Sequence, residues 1–337
     1  MTTEIRKWGD DQQYLAAKME ANTDELGNIF PKVTLISATP DPLGAIAAMS
    51  RMYVGKPTYS LEDITDEERW QYFTDIQKTT LKAPLESVSL HFFIEGVTRS
   101  FTHQMVRQRT AAYAQESLRF AVKENAAADV ARPPSIMNLK DDDPKRIIWE
   151  RAVYDMDQAY QALVNNGVPA EEARGLLPHA ITTRLNYVTN LRSLLGHAGY
   201  RLCTQAQFEW RLVFMGIMNA LKEYEGFASI ENTLDHGNHP YISQGEVLAT
   251  SGLFKPICYE TGKCEFNASF DRACSIRQRV NLFSTNGVPS ERWNEGHDVL
   301  VPADVQAGIP EGREWVPGIK PEEWMMNPDA ARVRGAG

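Results

Sequence analysis

Cysteine is scarce in this chain: four in 337 residues. So few thiols at this length make no disulfide framework, which excludes the small stapled folds of secreted proteins. An excess of positive charge is also missing. Lys and Arg number 35 against 44 Asp and Glu, for a formal net charge of −9. That balance argues against the broad basic face that binds nucleic acid or an anionic membrane. No apolar run is long enough to span a bilayer, and the first residues, from Met1 to Lys7, lack the apolar core of a signal peptide. These absences predict a cytoplasmic protein with neither nucleic acid nor membrane as partner. Its 43% hydrophobic and 23% charged content suits a globular chain, and the length exceeds the needs of one typical domain.

Positive charge is instead concentrated locally. Arg107-Gln108-Arg109 is followed by seven residues and then Ser117, with Arg119 two positions on and Gln104 one helical turn before Arg107. Fixed cations held so close repel one another, and a jointly bound anion keeps them together; phosphate suits the planar guanidinium fork. The bland alternative makes these arginines surface partners of Glu116 and other acids. Ser117 reads less well as a nucleophile, because no His or Asp partner stands at a triad spacing.

The pattern along the chain predicts the elements that carry this motif. Residues 1–31 read as a polar lead-in. Lys32 to Ser37 reads as a strand that stops at Pro40 and Pro42, and residues 61–82 as helical. From Ser87 to Glu95 the residues alternate, with Val88, Leu90, Phe92 and Ile94 on one face, which predicts a half-buried strand. After Gly96, Val97, Phe101 and Met105 recur every fourth residue, so a helix should carry Gln104 and Arg107 into a loop holding the rest of the motif. Residues 122–144 read as loop. Trp149, Val153, Met156, Tyr160 and Leu163 form a helical stripe that ends at Gly167. Pro169, Glu171 and Glu172 open a short helix bearing Arg174. A helix runs from Asn190 to Arg201, and another carries Trp210, Phe214, Ile217, Leu221 and Tyr224 as a core or subunit-interface stripe. Past 226 the composition turns to Gly, Pro and Asn, which predicts a boundary. Cys258, Cys264 and Cys274, with His236 and His239 upstream, lack the spacing of a zinc knuckle, so no metal is expected.

Several segments, taken in order, resemble the flavin-dependent thymidylate synthases, the ThyX family. Their signature of Arg-His-Arg, seven residues and Ser is similar to Arg107-Gln108-Arg109 with Ser117. Gly167 to Pro178, with Arg174 inside it, resembles the family's GVP-AR-LP stretch. Asn190, Arg192, Arg201, Gln207 and Glu209 resemble its NxRSL-R-AQxE stretch. The resemblance covers residues 32–225. It implies an α+β fold of mostly antiparallel sheet packed with helices, with 226–337 as an irregular C-terminal extension of unknown role. It implies FAD as cofactor, dUMP as substrate, methylenetetrahydrofolate and NADPH as co-substrates, dTMP as product, and a homotetramer. By the resemblance, dUMP would be bound by Gln104, Arg107, Gln115, Glu116, Ser117, Arg119, Arg174 and Arg201, with Arg201 catalytic at uracil N3. FAD would be bound by Arg107, Gln108, Arg109, Gln115, Asn190, Arg192 and Gly196.

The chemistry explains the residue types. A phosphate dianion needs charged or hydroxyl donors, which Arg119, Arg174 and Ser117 supply. Methylating uracil C5 needs a nucleophilic carbon, and an always-charged guanidinium favours the deprotonated ring. Three positions depart from the family pattern: Gln108 stands for the usual His, Ala114 for an Asn, and Gly196 for a polar residue. These departures keep two alternatives open, a homologue that gives a different one-carbon product and a flavin- or nucleotide-binding protein without catalysis.

Overall fold

The computed structural model describes residues 23, 27–137, 139–203, 206–232 and 240–258. Most of the lead-in, together with His236, His239, Cys264 and Cys274, lies outside them. The described part of the lead-in is anchored. Asn28 and Ile29 are buried, and Gly27 O accepts from Arg132 Nη1 at 2.9 Å.

Strand β1 is Lys32–Ala38 and helix α1 is Pro42–Met52. Asp41 caps α1 through Gly44 N, with Pro42 in the first turn, where its missing N–H costs nothing. Helix α2, Asp66–Lys78, is capped by Thr65. The helix expected over 61–82 is therefore broken: Leu61–Asp63 is a separate 3-10 turn, extended Ile64 follows it, and Thr79 is extended as well. Strand β2 is Ser89–Thr98. Its alternation is as anticipated, with Val88, Leu90, Phe92 and Ile94 fully buried. It also runs past Gly96, where the sequence pattern had placed a helix. Gly96 has φ +72 and lies so close to Phe30 O that a Cβ would sit 2.6 Å from it, so only glycine fits.

Helix α3, Arg99–Met105, follows directly, capped by Thr98. The segment beyond it is not all loop: Ala111–Gln115 forms strand β3. The stretch 122–144 holds a 3-10 turn at Ala127–Asp129 and the one-turn helix α4, Pro134–Met137. Helix α5, Pro144–Asn165, is capped by Asp143, and the short helix α6, Ala170–Ala173, passes into a 3-10 turn at Arg174–Leu176. Strand β4, Thr182–Asn190, buries Thr183, Leu185, Tyr187 and Thr189 on one face. Helices α7, Leu191–Arg201, and α8, Glu209–Glu223, come next. Strands β5, Ser229–Glu231, and β6, Tyr241–Ser243, pair antiparallel, and helix α9 is Gln244–Thr250. The fold is thus α+β, helices with antiparallel sheet, and four strands join in the order β1-β2-β4-β3.

By contacts the chain divides into two units. Unit 1 takes the described residues up to 32, 93–107 and 113–186; unit 2 takes 33–92, 108–112 and those from 187 on. In unit 1, Trp149, Val153, Met156 and Tyr160 of α5 pack with Leu118, Ala126, Val130, Ala173 and Ile181. Leu163, expected on that stripe, is 36% exposed, and Val164 packs there instead. In unit 2, Trp210, Phe214, Ile217 and Leu221 of α8 are all buried. Each such side chain contributes roughly 1.5–3 kcal/mol by leaving water. Among the described residues no helix is long and apolar enough to cross a membrane.

Candidate active site

Unit 1 carries one set of the expected residues, placed by the start of α3. Thr98 Oγ1 accepts from Phe101 N at 3.1 Å. Arg99 N donates to Ile181 O and Ser100 N to His179 O, both at 3.0 Å, which docks this turn on the segment after Arg174. Gln104 is half-buried in the last turn, and Arg107 is exposed just beyond it, its N donating to Gln104 O at 3.3 Å. Gln115, at the end of β3, donates through Nε2 to Thr102 Oγ1 at 2.9 Å.

Glu116 is held by cations. Arg184 Nη2 donates to its Oε1 at 2.8 Å, and Lys123 Nζ lies 3.6 Å from its Oε2. Lys123 also pairs with Asp129 at 2.9 Å. Ser117 Oγ accepts from Arg119 N at 3.3 Å. Arg119 and Arg174 then meet on one residue: Arg119 Nε donates to the Glu171 carboxylate at 2.7 Å, and Arg174 Nε donates to the Glu171 carbonyl at 3.0 Å. Ser117 and Arg119, two residues apart, thus form one cluster with Arg174 from much further along the chain. Sequence reasoning missed the residues that organise it, namely Arg99, Lys123, Glu171 as a partner, and Arg184. Burial lowers the pKa of Arg99 from its ordinary value; Glu116 opposes this and Arg174 adds to it.

Unit 2 carries the other set, held mostly by neutral bonds. Asn190 caps α7, its Oδ1 accepting from Ser193 N at 2.8 Å, which leaves its amide donors over. Gln108 is gripped at both ends: Nε2 donates to Ser193 O at 2.9 Å, and Oε1 accepts from Tyr187 OH at 2.9 Å. Burial pushes the Tyr187 phenol up to about 12, so it stays a donor throughout the neutral range. Arg192 is exposed and pairs with Glu86. Arg109 is exposed and makes no ion pair among the described residues. Gly196 faces open space, with nothing within 4 Å of an added Cβ. Arg201, at the end of α7, lays its guanidinium over the Trp210 ring, 4.8 Å from the centroid. Burial lowers its pKa from the ordinary value, although a guanidinium stays charged at any neutral pH. His197 meets the same indole edge-on at 4.6 Å. Burial first, and Arg201 second, push its pKa down to about 4, so it is neutral. Neither His197 nor Trp210 had been singled out for a part at the site. The available signals were the i, i+4 relation of His197 to Arg201 and the place of Trp210 on the aromatic stripe.

A family model described as "Thymidylate synthase complementing protein" matches residues 34–224. The chain is 33% identical over 193 residues to a flavin-dependent thymidylate synthase of Geobacter sulfurreducens, covering 57% of this chain and 82% of the relative. It is 35% identical over 186 residues to the enzyme of that name from Pyrococcus furiosus, covering 54% of this chain and 75% of the relative. A crystal structure of a UMP/dUMP methylase, PolB from Streptomyces cacaoi, bound with 5-Br dUMP, is similar at a TM-score of 0.46 and 20% identity, over 56% of this chain and 89% of that one. The ordered motifs, the family match across more than half the chain and the identity to relatives over most of their length agree, and the chain belongs to the flavin-dependent thymidylate synthase family.

Proposed function

We propose that this protein reductively methylates dUMP to dTMP, taking its carbon from methylenetetrahydrofolate and its reducing equivalents from NADPH through FAD. The observation that carries this reading is the meeting of Arg119 and Arg174 on Glu171, beside Ser117. The dUMP phosphate takes those two guanidiniums and the Ser117 hydroxyl. The Arg119–Glu171 pair is half exposed, so it holds by no more than about 1 kcal/mol and yields to a dianion. Gln104, Arg107, Gln115 and Glu116 line the rest of the nucleotide, Glu116 with its charge already balanced by Arg184 and Lys123.

Arg201 is the catalytic residue. Its fixed cation favours the deprotonated uracil ring at N3 and O2 and stabilises the charge that develops as C5 attacks. Partial burial reduces the screening of that charge by water. The residue chemistry also fits FAD. Arg107 and Arg109 suit its diphosphate, Gln108 and Asn190 its polar ring edge, and Arg192, Gln115 and the open face at Gly196 the remainder. Bound and reduced, the flavin supplies the hydride that turns the transferred carbon into a methyl group. The same reading has a catalytic domain over 32–225 between a lead-in, 1–31, and a C-terminal extension, 226–337, in a cytoplasmic homotetramer.

Purified full-length protein tests this. Tritium release from C5-labelled dUMP that requires both folate and NADPH, with dTMP identified by mass spectrometry, is the expected result; nucleotide binding without turnover would refute it. One observation favours a second reading. Gln108, in the place of the family's histidine, is fixed by Tyr187 and Ser193 as an uncharged amide, and a different one-carbon product would show in the same mass spectrum.

A further inference from the structure

The family match ends at residue 224, and the described chain beyond it is docked on unit 2 at several points. Ala228 N donates to Pro40 O at 2.7 Å, and Trp70 Nε1 donates to Glu231 O at 2.8 Å. Gln244 opens α9 and is 1% exposed. Its Oε1 accepts from Leu43 N and its Nε2 donates to Asp41 Oδ1, both at 2.9 Å, which ties α9 to the start of α1. Gly245 lies so near Leu221 O that an added Cβ would sit 2.1 Å from it, so no side chain fits between α9 and α8 there. Val247, Leu248 and Ala249 are buried as well. A segment that buries its apolar side chains and satisfies its polar ones in this way is part of the packed fold.

The end of this segment reaches the helices that hold Arg201. Ile257 N donates to Gly199 O at 2.8 Å, and an added Cβ at Gly199 would lie 3.6 Å from Ile257 Cβ. Gly199 is in the last turn of α7, where a helix has carbonyls with no partner of its own, and Arg201 follows in the same turn. Just before Ile257 in the chain, Phe254 is fully buried, its ring 6.3 Å from that of Phe214 on α8. Phe214 stacks on Trp210 at 6.2 Å, and Trp210 meets the Arg201 guanidinium at 4.8 Å and the His197 ring at 4.6 Å. One short segment thus holds both sides of the Arg201–Trp210 contact, α7 by a backbone bond and α8 by a ring. A cation stabilises developing charge only when it is fixed in place beforehand, and a displacement of about 1 Å costs about a hundredfold in rate.

We infer that the C-terminal extension is a positioning element for the reaction: Ile257 and Phe254 hold α7 and α8 in the register that lays Arg201 over Trp210. The inference rests on reading Arg201 as the catalytic residue. The full chain tests it as wild type, Ile257→Pro, Ile257→Val, Phe254→Leu and Arg201→Lys. Ile257→Pro removes the N–H, and Phe254→Leu removes the ring but keeps apolar bulk. Each should lower kcat by about tenfold or more, while flavin content and the dUMP dissociation constant hold. Ile257→Val keeps the N–H and should retain most of the turnover. The His197 ring reports the packing without catalysis. In both slow variants its titration, followed by NMR, should move up from about 4 toward the ordinary value, because its cover and the Arg201 charge both recede. A role in stability alone would lower the melting temperature and leave kcat and His197 as in wild type at the assay temperature. That result overturns the inference, and the reading of Arg201 stands if Arg201→Lys is slow. A lowered kcat with His197 unmoved overturns it too, as does an equal loss of dUMP or flavin binding. If Ile257→Pro fails to fold, Phe254→Leu decides on the same terms. A wild type without turnover, or wild-type kcat in Arg201→Lys, removes the underlying reading and the inference with it.

Discussion

The two units hold their motif residues by opposite means. In unit 1 the expected substrate residues are tied by charge: Arg119 to Glu171, Glu116 to Arg184 and Lys123. In unit 2 the expected flavin residues Gln108 and Asn190 are tied by neutral hydrogen bonds, Gln108 to Tyr187 and Ser193 and Asn190 to Ser193, and the expected catalytic residue Arg201 lies on the aromatic face of Trp210. The Arg119–Glu171 pair is half exposed, and such pairs are weak and exchange readily for a stronger anion, whereas Glu116 and its two cations are largely buried. The neutral bonds of Gln108 and Asn190 are partly buried, and such bonds are costly to break where they leave a polar atom unsatisfied. Under the proposed function, the exposed Arg119–Glu171 pair suits a ligand that comes and goes at every turnover, and the neutral bonds of Gln108 and Asn190 suit a cofactor that stays.

The largest effect should come from Arg201. Arg201→Lys keeps the charge but loses the planar fork, and with it much of the contact to the Trp210 face. Turnover should fall on the order of a hundredfold while dUMP affinity changes little, since the lost interaction belongs to the developing charge. Wild-type kcat in this variant would remove Arg201 from the mechanism and erase the main catalytic difference between the units.

The buried character of unit 2 should show in acid. His197 has its pKa depressed to about 4 by burial and by Arg201. A histidine that titrates lower in the folded state leaves the unfolded chain binding more protons between the two values. Stability is therefore full above the unfolded value of about 6.5 and falls as the pH drops toward 4, by a total on the order of 3 kcal/mol. His197→Phe should flatten that slope in denaturant titrations over the same window. An unchanged slope would mean that other groups set it.

Unit 1 should respond through ligand affinity rather than stability. Arg119→Ala should weaken dUMP binding by about 2 kcal/mol, roughly thirtyfold, through the loss of one charged hydrogen bond. Glu171→Gln should move the other way by a few-fold, because it frees Arg119 from its competitor. Isothermal titration of both variants decides the point, and parallel losses would show Glu171 to be a support for the site instead.

What the sequence made legible was local. The alternation in β2, the Asn190 cap of α7 and the stripe of α8 each follow from residues within a few positions of one another. Strand β4 was not predicted although Thr183, Leu185, Tyr187 and Thr189 alternate, because two of the four residues on its buried face are polar threonines, which blur the apolar period. The partners of the motif were out of reach for a physical reason. Arg184 meets Glu116 from 68 residues away, and Tyr187 meets Gln108 from 79 away. No periodicity encodes such pairs; they appear only when strands and helices pack. Gly96 carried a readable sign, but a glycine inside a strand marks a close approach without naming what approaches.

The smallest effect, and the sharpest probe of the neutral side, is Gln108→His. The amide now donates to Ser193 O and accepts from Tyr187 OH. A neutral imidazole has one donor and one acceptor nitrogen, so it can replace both bonds if the ring reaches them. Flavin content and dTMP formation should then hold or rise at about pH 8, where the ring is neutral. Below about pH 6.5 a protonated ring has two donors and no acceptor. The Tyr187 hydroxyl, which stays protonated with its pKa pushed up to about 12, would have to turn its hydrogen away and accept from the ring, and the acceptor it now donates to would be gone. Flavin retention in the variant should therefore become pH-dependent where that of wild type is flat. Measured from about pH 6 to 9, loss of flavin across the whole range would mean that the pocket is built around the amide, and the reading with an altered product would gain. Identical flat profiles would mean that the bridge from Tyr187 to Ser193 does not govern the flavin side at all.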